Sequence, residues 1–130
     1  MKNGLPLIAC AAAAAALPAM ADIYVIANPG VQLSADEARE AFVGDKQFAN
    51  GVKLVPLDNA AAQAEFLAKV LNMDATRYNA LWVKKGFRDG LAAPAVKGTD
   101  LEVVAGVRAT PGAIGYVTSA PQGVTGIHKY

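Results

Sequence analysis

The chain has 130 residues, with 12 Lys and Arg against 11 Asp and Glu, one His and one Cys. Beyond residue 21 acidic and basic residues are equal in number, so no basic face argues for nucleic acid or an anionic membrane surface. The one cysteine, Cys10, sits in the first segment, which excludes disulfides and cysteine catalysis from the rest of the chain.

Met1-Lys2-Asn3 is a short positive start, residues 5–17 are apolar and alanine-rich, and Pro18 breaks the run before Ala19-Met20-Ala21. That is the pattern of a secretory leader cleaved after Ala21. The run is shorter than the ~20 residues that a membrane-spanning helix needs. The expectation is therefore a leader over 1–21 and one periplasmic or secreted domain over 22–130, with no membrane insertion of the mature chain. Leu7-Ile8-Ala9-Cys10 offers a rival, a lipid-modified cysteine, with only a few apolar residues ahead of it.

Residues 22–27 (DIYVIA) form a β-branched, apolar run closed by the turn residues Asn28-Pro29-Gly30. Ser34 with Glu37 predicts a capping box that opens a helix through Val43, with Ala35, Ala38 and Phe42 on one face and Gly44 ending it. Residues 52–57 (VKLVPL) predict a second strand, with Pro56 confined to its end or edge. Asp58 or Asn59 is expected to cap a helix through Leu71, on which Ala64, Phe66, Leu67, Val70 and Leu71 recur at helical spacing. Asp74 is expected to cap a third helix to about Lys85, burying Tyr78, Leu81 and Trp82.

A Gly/Pro/Ala-rich loop follows over 86–98, then a helix from Thr99, boxed with Glu102, to about Arg108. Residues 113–118 (AIGYVT) predict a third strand and 124–128 (VTGIH) a fourth. The alternation describes a single α/β domain, a small mixed sheet flanked by helices.

Few residues offer chemistry. His128 has no second histidine or cysteine to complete a metal site, so no metal or other cofactor is expected. Ser34 and Ser119 lack the strained turn of a nucleophile, and Glu37/Glu40 and Asp36/Glu40 fall at the spacing of a solvated helix face. An enzyme is disfavoured. What stays open is anion binding by backbone N–H groups at two strand-to-helix junctions, Asn28, Gly30 and Ser34 at one and Asp58, Asn59 and Ala60 at the other. The alternative is that Ser34 and Asn59 cap their own helices. Arg77, Arg88 and Arg108 could supply counter-charge or be ordinary surface.

The segment Thr110-Pro111-Gly112-Ala113-Ile114-Gly115-Tyr116-Val117 resembles a strand-entry motif of the phosphate-binding proteins of ABC transporters. Leu33-Ser34 through Glu37 to Ala41-Phe42-Val43-Gly44 is similar to that family's helix with its closing Phe-x-Gly. Gly51-Val52-Lys53-Leu54-Val55-Pro56 and Lys97-Gly98-Thr99-Asp100 to Val107 fall in the matching order. The resemblance implies one lobe of a type II periplasmic binding protein, and with it phosphate or another small anion as ligand. In the family a serine-glycine-threonine preceded by arginine grips phosphate after the second strand. Here Ala60-Ala61-Ala62 follow Asp58-Asn59, and Val55 and Pro56 stand where the arginine is expected. Two expectations stand side by side: a solute-binding-like domain with a weak grip on a small anion, and a cell-envelope interaction module that has lost ligand binding, with an envelope protein or a second copy as partner.

Overall fold

A computed structural model describes residues 21–130, and the leader expected over 1–21, apart from Ala21, and Cys10 lie outside them. β-branched Val25 and Ile26 form the middle of the first strand, β1 (Tyr24–Ala27), and Asn28-Pro29-Gly30 follow its end. Helix α1 (Ala35–Phe42) opens on the expected capping box: Ser34 Oγ accepts from Glu37 N, and the Glu37 carboxylate accepts from Ser34 N. That backbone hydrogen bond, first, and the nearby Lys46 ammonium hold Glu37 below the usual carboxylate range.

The expected strand over 52–57 is in fact two. Asn50 and Gly51, both at positive φ, turn a small hairpin between β2 (Phe48–Ala49) and β3 (Val52–Lys53). Leu54 then dives into the core, and β4 (Val55–Asn59) begins. Val55 N donates to Gly112 O at 2.9 Å, so the neighbouring Pro56 nitrogen faces the opposite side. On that side pairing starts only at Leu57, and the missing N–H of Pro56 breaks no ladder bond.

Asp58 and Asn59 are strand residues here and cap no helix. Helix α2 starts at Gln63 behind Ala62, which makes no side-chain cap; it is α-helical over Gln63–Phe66 and widens to a π-helix over Leu67–Leu71. Asn72, in the left-handed region, ends it. Helix α3 (Ala75–Asp89), capped by Asp74, runs four residues past its expected end to Gly90. The segment expected as pure loop also holds β5 (Ala95–Lys97), then comes α4 (Asp100–Ala109), β6 (Ala113–Val117) and β7 (Thr125–Lys129).

The five-stranded sheet has the order β5-β4-β6-β1-β7. β5, β4 and β6 are parallel, and β1 runs antiparallel between β6 and β7, so the sheet is mixed, as expected. Strand alternation divides the core. Val25, Ala27, Ile114 and Tyr116 face Phe42, Phe66, Leu67 and Trp82 of α1, α2 and α3. Ile26, Leu57, Ala113 and Val117 face Val103 and Val107 of α4. Of the expected α3 residues Tyr78 and Trp82 are buried and Leu81 packs at the core's rim.

Two glycines explain the TPGAIGYV segment. Gly112 has φ +83°, and a Cβ there would stand 2.1 Å from Lys53 O, so no other residue fits without moving the chain. A Cβ on Gly115 would meet Val103 Cγ1 at 2.7 Å, so its absence lets α4 lie close on the sheet.

Candidate functional site

The connection from β4 to β5 through α2 and α3 and the connection from β5 to β6 through α4 leave the sheet in opposite directions. The carboxyl ends of β4 and β6 therefore part at a topological switch point, the place where open α/β sheets hold ligands. Asp58 and Asn59 end β4 there, Thr118 and Ser119 follow β6, and Asp100 opens α4.

Alternation sends Asp58 to the α3 side and Asn59 to the α4 side. Asp58 is only 2 % exposed, and both its oxygens are engaged: Tyr116 Oη donates to Oδ1 and Tyr78 Oη to Oδ2, each at 2.8 Å. Burial raises the Asp58 carboxyl above its ordinary range, against the lowering pull of the Tyr116, Tyr78 and Gln63 hydrogen bonds. Burial first, and then the Asp58 charge, push both phenols above their usual value. Tyr116 is also held by its ring, stacked on Phe66 with centroids 3.7 Å apart and edge-on to Phe42.

Asn59 is fully buried and spends its amide on neighbours. Its Nδ2 donates to Asp100 Oδ1 at 2.7 Å and to Tyr116 O at 3.0 Å, and its Oδ1 accepts from Ala61 N. Asp100 Oδ2 accepts from Thr118 N and Thr118 Oγ1. Partial burial raises the Asp100 carboxyl, but the Thr118 hydroxyl, the Thr118 backbone and Asn59 outweigh it and hold Asp100 below its usual range. Among the described residues no buried side-chain nitrogen or oxygen lacks a partner, and no three His, Cys, Asp or Glu side chains converge.

The backbone donors of the second junction are used as well. Ala60 N donates to Lys97 O, Ala61 N to Asn59 Oδ1 and Ala62 N to Asn59 O. At the first junction Asn28 Nδ2 reaches the last carbonyls of α4, Val107 O and Arg108 O, while its Oδ1 accepts from Gly30 N. Ser34 is occupied by its capping box. The two candidate groups thus lie apart, one joining β1 to the end of α4 and the other joining β4 to the start of α4. His128 lies on edge strand β7, its ring 4.5 Å from that of Tyr130. Arg77, Arg88 and Arg108 stand at the start of α3, its end and the end of α4.

Tyr78, Tyr116, Asp100 and Thr118 complete the network but were not among the candidate anion-binding residues. One signal for it was in the sequence: an aspartate at an inward position of an otherwise apolar strand needs buried donors. No protein-family model matches the chain, and no curated protein shows significant similarity to it. Among the described residues no helix is long and apolar enough to cross a membrane.

Proposed function

We propose that the chain is a non-enzymatic, exported binding module, similar to one lobe of a phosphate-binding protein but without its phosphate clamp. One observation supports the loss of the clamp: at both strand-to-helix junctions the donors that would hold an anion already serve the chain's own acceptors. At the second junction an incoming phosphate would also face Asp100, held in its charged form by three hydrogen bonds. Like charges at such range repel, and a buried donor taken from its partner leaves that partner unpaired.

Contact with an envelope protein is supported by apolar side chains outside the core, Val83 and Phe87 one turn apart on α3 and Val96 on edge strand β5. A weak small-anion function is the second reading, favoured by the position of the network at the switch point between β4 and β6. Calorimetry with phosphate, sulfate and acetate separates the two. Absence of heat at millimolar ligand is expected; saturable heat that Asp100→Asn strengthens would establish anion binding at the switch point and overturn the loss of the clamp.

A further inference from the structure

A cavity of about 430 Å³ lies at the opposite end of β4 from the Asp58 and Asn59 network, between the β2–β3 hairpin and the segment joining α3 to β5. That volume is within the ~300–1,000 Å³ of small-molecule sites. Its walls are apolar, formed by Leu54, Pro56, Trp82, Leu91 and Pro94. The Trp82 ring is fixed rather than free. Its Nε1 donates to Phe42 O at 3.2 Å, and its edge lies so near Gly44 that a Cβ there would approach Cη2 to 3.0 Å.

The polar side chains of this cavity are few, two lysines and one amide. Lys46, Gln47 and Lys53 line it, and no acidic residue does. Lys46 shares its charge with Glu37 at 3.4 Å, whereas Lys53 forms no ion pair among the described residues. An apolar, preformed wall with an uncompensated ammonium at its edge favours an apolar body carrying one negative charge. A bare phosphate would leave the wall wet, and a neutral apolar molecule would gain nothing from Lys53.

We propose that this cavity binds a small amphipathic monoanion, of the class of aromatic or short-chain fatty carboxylates, with its hydrocarbon against Trp82 and Leu54 and its carboxylate at Lys53. The site is separate from the Asp58 and Asn59 network and does not depend on it.

Phenylacetate is the probe, with phenylacetamide as its neutral counterpart and inorganic phosphate as the bare anion. Amide spectra of the labelled protein should show saturable shifts at Gly44, Leu54, Ala93 and the Trp82 indole on adding phenylacetate. Lys53→Met, an exposed substitution that leaves the core untouched, should weaken phenylacetate about tenfold, the share of one charge-assisted hydrogen bond, and leave phenylacetamide unchanged. Absence of shifts at millimolar phenylacetate overturns the proposal. So does equal affinity for phenylacetate and phenylacetamide, equal response to phosphate, or a Lys53→Met variant that binds phenylacetate as well as the parent.

Discussion

Replacing Tyr116 by Phe removes one oxygen and little else. The ring stays stacked on Phe66 and edge-on to Phe42, so the change isolates the hydrogen bond to Asp58 Oδ1. Asp58 is buried and its carboxyl is raised above the ordinary 3.8. A raised folded value means that Asp58 favours the fold most at pH below its unfolded value, and that this contribution falls as pH climbs through the folded value. Tyr116 opposes that fall by stabilising the charged form. Its hydroxyl is thus worth about 1 kcal/mol where Asp58 is neutral and ~1.5–3 kcal/mol where Asp58 is charged and loses a donor, so its worth grows as pH rises.

Urea unfolding read by the fluorescence of Trp82, the one tryptophan in the chain, measures both values. Tyr116→Phe should lose more stability at pH 7.5 than at pH 4. An equal loss at the two pH values, or a loss under 0.5 kcal/mol at both, would refute the view that Asp58 is charged inside the core and held by its phenols.

Three further outcomes follow from the geometry. Gly112→Ala should cost more than ~3 kcal/mol or abolish folding, seen as loss of the cooperative transition, because a Cβ has no room beside Lys53 O and φ is positive. Thr118→Val should weaken the domain by ~1 kcal/mol at neutral pH and move its acid unfolding to higher pH in a circular-dichroism titration. Asp100 has a lowered folded value, so its contribution is present above the unfolded value of about 3.8 and lost as pH falls through the folded one. Without Thr118 Oγ1 the loss begins sooner. Phe87→Ser, at a side chain 90 % exposed, should leave the urea midpoint within the error of ~0.5 kcal/mol and reduce binding of an apolar dye.

Three of the four helix starts were legible because caps are local. Ser34, Asp74 and Thr99 each accept from a backbone N–H three residues on, an interaction written within four residues of sequence. The Asn50-Gly51 hairpin was equally local, and the apolar run on its far side hid it by suggesting one longer strand. Strand β5 was not legible. Three residues with one large apolar side chain, Val96, become a strand only because Leu57, Asp58 and Asn59 lie alongside. The same holds for the site. Asp58 and Asn59 ahead of three alanines carry a cap's local signature, yet Tyr78 lies 20 residues on from Asp58 and Tyr116 lies 58 on. Only the completed topology brings those phenols to that carboxylate, and with them in place the strand extends to Asn59.

The position of β1 has a consequence for how the chain reaches this state. Both ladder partners of Tyr24–Ala27 are supplied by the far end of the chain, β6 at Ala113–Val117 and β7 at Thr125–Lys129, and Ile23 and Tyr130 exchange backbone bonds beyond them. Such distant pairing carries a large closure entropy before it returns any energy, which slows assembly. A chain halted before residue 113 would hold no mate for its own opening strand, so β1 can join the sheet only once β6 or β7 is present.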